Sequence, residues 1–508
     1  MSKRISIVGA GPGGLAAAML LSSKGYKVNV FEKQSYIGGR NSKIKLGEYS
    51  FDMGPTFFSM VHIAEELFTA AHRNVHDYLQ LVELNPMYEL VFDKKRLVMS
   101  RDRDFMKKQL EEMYPGNGEG YDRFMKETAC KMDALTPILQ SKMDRFLQLL
   151  HPKVLKALPE LEITNSLYDV LSRYFTEDEI KLAFTFQSKY LGMSPWECPG
   201  AFSILSYMEH AYGVFYPIGG LHELSTAMAK VTKEHGGEIH TNCGVRKLWM
   251  ENKKVKGVIL ENNEKVEADE VIINADFAHA MTNLVDRNML RKYSSSNLEK
   301  KKYSCSTFMI YLGLNTKVNL GHHTIIFAND YKKNVEEITK RKILSEEPSI
   351  YIHNPVVTDP TVAPKGKTAL YILAPVPNNF SEIEWKKEQT TFRKIVLRIV
   401  EEKTGLQNME KYIEVEKMIT PKQWEDDIFV YRGATFNLGH QLSQMMVFRP
   451  HNQFEELQNC WLVGGGTHPG SGLPTILESA RITSNGILSR DKAQTVPISP
   501  LPTLEVSS

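Results

Sequence analysis

The chain has 508 residues with 62 basic and 60 acidic side chains, a net charge of +2, and is 42% hydrophobic and 24% charged. This is an ordinary globular composition, long enough for two or three domains or one large interleaved one, and its near-neutral balance argues against nucleic-acid binding through bulk charge. The five cysteines (Cys130, Cys198, Cys243, Cys305, Cys460) are odd in number and lack metal-ligand spacing, which predicts reduced thiols and no metal site.

The chain opens with a predicted strand (5–8), a glycine turn, a helix rich in Ala and Leu, and a second strand (27–31) ending at Glu32. Gly9 permits the tight turn, Gly11 lets the backbone approach a pyrophosphate, and Gly14 lets the helix pack on the strand. Gly13 lies in the first helical turn, whose N–H groups and partial positive charge suit phosphate. Glu32 follows at about the spacing of an acid that accepts hydrogen bonds from an adenosine ribose, and its neighbour Lys33 is assigned to the same end. Lys3 and Arg4 before an uncharged run mimic a secretory signal, but the glycines and Pro12 break that run. A second uncharged run, 457–477, is too rich in Gly and Pro for a spanning helix. No transmembrane segment is expected.

Ile37-Gly38-Gly39-Arg40 suits a loop against a cofactor, with the guanidinium forked onto phosphate oxygens. A nicotinamide site does not require this extension, so it points to FAD. Gly54, Pro55 and Thr56 form a turn whose backbone can lie close to a flavin ring. From about 60 to 215 apolar residues recur at helical spacing, predicting a mostly helical insert. Within it, 143–161 interleaves Phe146, Leu147, Leu149, Leu150, Val154, Leu155, Leu158 and Leu161 with Lys142, Arg145, Lys153 and Lys156. This pattern reads either as a basic amphipathic stretch on a membrane surface or as a buried helix pair broken at Pro152.

A helix ending near Glu234 and strands at 238–241, 245–251, 255–260 and 270–276 restore the nucleotide-domain character. Apolar, aromatic segments at 306–313, 349–353 and 368–375 predict a sheet able to line a cavity, covered by a helix at 387–403. The strand at 460–463 runs into Gly464, Gly465 and Gly466, then a loop to Gly472, Leu473 and Pro474, and a final helix whose N-terminus is a second dipole end. The Ser-, Pro- and Thr-rich tail, 491–508, is expected to be disordered. The predicted division is an FAD-binding domain of 1–100, 215–300 and 430–490, a helical insert of 101–214 and a β-rich substrate domain of 301–429. The separated glycine-rich segments converge if they fold onto one long FAD: adenosine at Glu32, pyrophosphate at the first helix, isoalloxazine near 54–56 and 466–474.

Ile7-Val-Gly-Ala-Gly-Pro-Gly-Gly-Leu15, Gly38-Gly-Arg40, Asp52-Met-Gly-Pro-Thr56, Tyr303-Ser-Cys-Ser306 and Gly466-Thr-His-Pro-Gly-Ser-Gly472 resemble bacterial carotenoid desaturases of the phytoene desaturase type. Arg432-Gly433-Ala434 and Phe448-Arg449-Pro450-His451-Asn452 match as well. The similarity runs to about residue 490, and the Thr-His-Pro-Gly loop is its most specific part. Ser471 departs from the family's usual Ala. The segments 303–313 and 350–375 resemble most the C30 branch, the desaturases of 4,4'-diapophytoene.

The resemblance implies an α/β fold of the amine oxidase/phytoene desaturase type: a Rossmann-like FAD domain, a mixed-sheet substrate domain and a helical, membrane-associated insert. It adds Val245 to the cofactor site. The implied reaction is stepwise desaturation of a C30 or C40 polyene. Flavin N5 takes a hydride from an allylic carbon and a proton leaves the neighbouring one, with the protein positioning substrate and excluding water. No triad or paired carboxylates stand out. His468 is a candidate proton relay, with a loop-stabilising role as the other reading. A bilayer-borne substrate favours the membrane reading of 143–161, on the cytoplasmic face of the cell membrane, with a membrane quinone or oxygen as electron acceptor. Rivals on the same frame are an oxidase of a terminal carotenoid methyl, an amine oxidase, and a non-enzymic chaperone of prenylated GTPases. The intact glycine fingerprint argues against the last.

Overall fold

The computed structural model describes residues 2–191, 193–286 and 288–498. Its nucleotide half is built on a parallel five-stranded sheet in the order Glu238–His240, Lys27–Phe31, Arg4–Val8, Glu270–Ile273, Cys460–Leu462. All four pairings are parallel. Parallel strands need both faces covered, which is why Glu270–Ile273 is buried throughout. The helix Pro12–Ser23 packs between Leu473–Arg490 and His222–Glu234 and is buried from Gly13 to Ser22. A helix apolar all round fits that enclosed position. The strands Val245–Glu251, Lys254–Leu260 and Lys265–Glu267 form a separate antiparallel sheet.

The second large sheet has seven strands, ordered Ile413–Ile419, Ser306–Leu314, Thr368–Val376, Ile350–His353, His323–Ile326, Tyr88–Val91, Arg96–Met99. Both faces are buried along the central strands, and the period-2 alternation assigns them. Phe308, Ile310, Leu312, Leu370 and Ile372 face the helix Trp385–Thr404 through Phe392, Val396 and Val400. Met309, Tyr311, Tyr351, Tyr371 and Leu373 face the core shared with the nucleotide half. The boundary expected at residue 100 does not follow the sheets. Tyr88–Val91 pairs in parallel with His323–Ile326, so residues 88–99 belong to this sheet.

The expected helical insert contains Arg103–Met113, Asn117–Leu139, Leu167–Leu171, Asp178–Ala183 and Ile204–Tyr212. The stretch 143–161 is three short pieces, Phe146–Leu150, Pro152–Ala157 and Pro159–Leu161, rather than one helix. Pro152 and Pro159 each open a new turn, because proline lacks the N–H and suits only a first turn. Val154, Ala157 and Leu161 point inward, whereas Phe146, Leu147 and Leu150 are 64–75% exposed. No helix of the described residues is long and apolar enough to cross a membrane.

The tail expected to be disordered from 491 is held through Val496. The Asn485 side chain pairs with the Val496 backbone at 2.7 and 3.0 Å, and Arg481 donates to the Pro497 carbonyl at 3.1 Å. Two polar side chains on the last helix thus satisfy backbone groups of the tail. Residues 499–508 lie outside the described residues.

Candidate active site

At the glycine turn, Gly9 has φ +95°, and a Cβ on Gly14 would lie 2.4 Å from the Gly9 carbonyl oxygen. Asn274, at the C-terminal end of the neighbouring parallel strand, donates to that carbonyl at 3.0 Å. Its side chain fills the space beside the turn, so Cβ atoms at Gly11 and Gly13 would lie 2.8 and 2.9 Å from it. Sequence reasoning missed Asn274. Its position where a parallel strand ends, at the usual ligand crevice, was the available signal.

Glu32 is buried, and its carboxylate accepts from the Ala10 and Gln34 N–H groups at 2.8 and 2.9 Å. Burial raises its pKa, opposed by these backbone donors. The Cys243 N–H donates to the Glu32 carbonyl, which brings the strand opened by Val245 to the same end. Lys33 is surface-exposed, with Nζ 3.1 Å from Glu261 and 4.2 Å over the Phe429 ring.

The fit of a dinucleotide rests on three observations. Gly39 (φ +53°) lies directly against Gly11, its Cβ position 3.8 Å from the Gly11 Cα, so the two glycine segments meet beside the start of the first helix. The helices beginning at Pro12 and Leu473 both lack a side-chain N-cap hydrogen bond, which leaves N–H groups for anionic oxygens. A groove lies between Arg40, Asn274, Gly465 and Gly466. These residues fit FAD.

Arg40 departs from expectation. Its Nη1 donates to the Thr435 carbonyl at 2.8 Å and lies 3.8 Å from Asp276, whose side chain is 7% exposed. With its amide oriented to satisfy both neighbours, Asn437 donates to Asp276 and accepts from Arg40. A buried carboxylate needs a cation, so Arg40 is committed to Asp276 rather than directed only at phosphate.

The 53–56 turn, expected beside the flavin, is held by the seven-stranded sheet. Tyr311 donates to the Met53 carbonyl at 2.5 Å and Tyr371 to the Gly54 carbonyl at 2.8 Å, while Tyr351 and Thr56 share a hydroxyl hydrogen bond at 2.6 Å. Pro55 sits between these anchors. Tyr311 and Tyr371 are cross-strand neighbours packed edge to face. Asp52 in turn accepts from the Leu221 and His222 N–H groups, fixing the start of His222–Glu234.

Across the site, fully buried Arg449 donates to the carbonyls of Leu438, Gly439, Gln444, Gly465 and Thr467. It shapes the glycine loop; burial lowers its pKa to about 10. A Cβ on Gly465 would meet Ser471 and Asn437 at 2.8 Å, and one on Gly466 would meet Phe277 at 2.5 Å. Ser471 uses its hydroxyl to bind the Phe436 carbonyl at 2.5 Å. Gly472 (φ +120°) leads into Leu473 and Pro474 at the last helix. His468 is buried and its Nε2 lies 2.9 Å from the Ser141 carbonyl, in the helical insert. Burial takes its pKa down to about 4. Its ring thus ties the loop to the insert.

Beside Phe436 lies a pocket with almost wholly apolar walls, lined by Phe186, Thr307, Ile325, Tyr351 and Leu373 among others. Behind Phe186, the buried Glu209 carboxylate accepts from Tyr88 at 2.8 Å and Gln187 at 2.7 Å, and burial raises its pKa to about 7. The native state therefore holds a proton that the unfolded chain releases near 4.5. That stability is full at low pH and is lost as pH rises through about 7. Replacing Glu209 by Gln should accordingly raise stability relative to the unsubstituted chain by roughly 3 kcal/mol more at pH 8 than at pH 4.5. Denaturant midpoints at the two pH values measure this, and an equal difference at both would contradict it.

The fold and the paired glycine segments define a two-part flavin-dependent oxidoreductase. Residues 12–488 match the model of the family described as flavin containing amine oxidoreductase. A redesigned putrescine oxidase superposes with a TM-score of 0.64 at 14% identity, over 96% of this chain and 99% of its own, a likeness of fold. A 4,4'-diapophytoene desaturase (4,4'-diapolycopene-forming) of Methylomonas sp is 47% identical over 97% of this chain and 96% of its own. A zeta-carotene-forming phytoene desaturase of Myxococcus xanthus is 34% identical over 98% and 96%. The chain belongs to the flavin-containing amine oxidoreductases and, within them, to the carotenoid desaturases, with FAD as its cofactor.

Proposed function

We propose that the chain introduces conjugated double bonds stepwise into 4,4'-diapophytoene, a C30 polyene, while resting on a membrane surface. The apolar cavity between the Phe436 side and the cavity-facing side of the seven-stranded sheet carries the reading. Its lining is almost wholly apolar, which suits a hydrocarbon and offers few polar partners. FAD, when bound, supplies the two-electron oxidation of a saturated C–C bond. The chain's own part is placement: Tyr311, Tyr351 and Tyr371 fix the 53–56 turn, Arg449 fixes the opposite loop, and Ile325 and Leu373 exclude water from the space between. The 47% identical relative supports C30 over C40. Purified protein given diapophytoene or phytoene in liposomes tests this: preferred conversion of diapophytoene to longer conjugated hydrocarbons is expected. Preferred conversion of phytoene would overturn the C30 assignment, and aldehydes without new double bonds would favour the terminal-methyl oxidase.

Phe146, Leu147, Leu150, Leu155 and Leu158 are exposed on the broken segment, and Phe448 joins Phe146 edge to face at 5.6 Å. Arg145 and Lys156 flank them. A mixed apolar and basic surface of this kind binds the interface of anionic bilayers. The position is peripheral, on the cytoplasmic face, where a membrane quinone or oxygen reoxidises the cofactor. A triple Glu variant at Phe146, Leu147 and Leu150 should lose co-sedimentation with anionic liposomes by about tenfold or more while retaining FAD. Unchanged sedimentation would refute the docking surface.

A further inference from the structure

Three histidines on the far side of the Tyr351 hydroxyl have no part in the site described above. His323 and His353 are cross-strand neighbours on Ile350–His353 and His323–Ile326, and His322 immediately precedes the latter strand. All three are buried, and one nitrogen from each lies within 4.8 Å of the others. Their ring centroids are 4.5, 4.9 and 5.1 Å apart. His353 Nε2 is 3.1 Å from His322 Nε2. Three imidazoles at about 2.0–2.1 Å from one ion would place neighbouring nitrogens roughly 3.3 Å apart, so this edge already has the required length.

Two of the three outer nitrogens are anchored as in a metal centre. His322 Nδ1 pairs with the Thr358 hydroxyl at 2.7 Å, and His323 Nδ1 with the Tyr351 hydroxyl at 2.7 Å. With both Nδ1 atoms protonated, His323 donates to Tyr351 and Tyr351 donates to Thr56, a consistent direction along the whole chain. Such partners fix the tautomer that leaves Nε2 as a ligand. His323 Nε2 is the unsatisfied atom. It is fully buried and has no hydrogen-bond partner among the described residues. Leaving a buried polar nitrogen unmet costs about 1–3 kcal/mol, and a bound ion or water is its common explanation. Phe57 stacks on His323 at 4.2 Å and the Tyr216 edge meets His322 at 4.8 Å, so the surroundings are apolar. Asp359, itself buried, acts electrostatically on His322 and is occupied by the Gly219 and Thr361 N–H groups, which makes it a nearby negative charge.

We infer that His322, His323 and His353 form a binding site for a first-row divalent cation, with zinc the ion that an all-imidazole set suits. Neither thiolate nor carboxylate completes the trio, which disfavours soft ions and calcium or magnesium. Three protein ligands leave a fourth position for water. The ion joins the ends of two strands and, through Tyr351, braces Thr56 on the flavin-side turn. This inference does not depend on which polyene the chain takes.

The test uses the full-length holoprotein without a histidine tag, incubated with excess zinc and desalted, followed by elemental analysis and X-ray absorption at the zinc edge. Expected are about one zinc per chain, an imidazole nitrogen shell at about 2.0 Å, and roughly tenfold less zinc in His323→Ala and in His353→Ala. A different first-row ion, copurified at one per chain and lost in the same variants, supports the site and reassigns the ion. Should the variants fail to fold, the unsubstituted protein decides alone through stoichiometry and ligand shell. Zinc content no higher than background, a shell containing sulfur, or zinc retained in folded variants would overturn the site.

Discussion

Gly14→Val should give a protein that purifies without flavin and does not take it up when FAD is added. The new Cβ would sit 2.4 Å from the Gly9 carbonyl oxygen and 3.0 Å from the Asn274 side chain. The first of these is backbone and cannot swing aside, and Gly9 is itself held by the Phe31 carbonyl at 2.8 Å. The turn must therefore open, moving the N–H groups at the start of Pro12–Ser23 away from the phosphates. Overpacking of this kind costs about 1–3 kcal/mol, less than the stability of a typical domain, so the variant folds but cannot hold the pyrophosphate. Gly25→Ala is the control. Gly25 also has positive φ (+83°), but nothing lies within 4 Å of its Cβ position, so only local strain of about 1–2 kcal/mol is added. It should keep its flavin. Absorbance near 450 nm (roughly where oxidised flavin absorbs) per chain measures both. Full flavin content in Gly14→Val would place the pyrophosphate elsewhere.

Arg449→Met should be still more damaging. The guanidinium is the shared donor for five carbonyls, two of them in the 465–467 loop, and has no carboxylate partner among the described residues. Methionine fills much of the volume but removes a donor from five buried carbonyls, of which only Gly439 and Gly465 keep a second one among the described residues, from Gln444 and Ser471. Unmet buried acceptors cost about 1–3 kcal/mol each. Partial relaxation and water entry would reduce that sum, so about 3–5 kcal/mol is expected, comparable to the loss on breaking a buried ion pair. A lower denaturation midpoint and weaker FAD retention should accompany each other, because the carbonyls released include those of Gly465 and Thr467, in the loop proposed for the cofactor. Arg449→Lys keeps the charge but not the fork, and should fall between the two. A midpoint unchanged in Arg449→Met would show that the loop is shaped by something other than this residue.

The parts of this molecule legible in the sequence are those governed by local chemistry. The turn from Gly9 to Gly14 was readable because positive φ and close backbone approach select glycine. The long strands around Tyr311 and Tyr371 were readable because β-branched and aromatic residues cluster there. What the sequence concealed is set by partners distant along the chain. Residues 88–99 are strands by pattern, but their sheet depends on pairing with His323–Ile326. Arg449 stands in a segment that resembles the family, but its role shows only when five carbonyls converge on it. The commitment of Arg40 to Asp276 depends on a carboxylate buried by tertiary packing. The trio of histidines joins two segments some thirty residues apart, outside the spacing of a local metal motif. In 143–161 the apolar periodicity was visible, but periodicity does not distinguish a face turned to lipid from one turned to a core. The two prolines break the stretch into short turns that leave Phe146, Leu147 and Leu150 exposed and bury Val154, Ala157 and Leu161.

The most direct measurement is an anaerobic single turnover. The holoprotein is mixed with diapophytoene in liposomes, and the flavin band near 450 nm (about where oxidised flavin absorbs) is followed together with the polyene product. Bleaching of the flavin, with one new double bond formed per flavin reduced, is expected. New conjugation without bleaching, or a flavin that stays oxidised with both diapophytoene and phytoene, would contradict flavin-dependent desaturation by this chain.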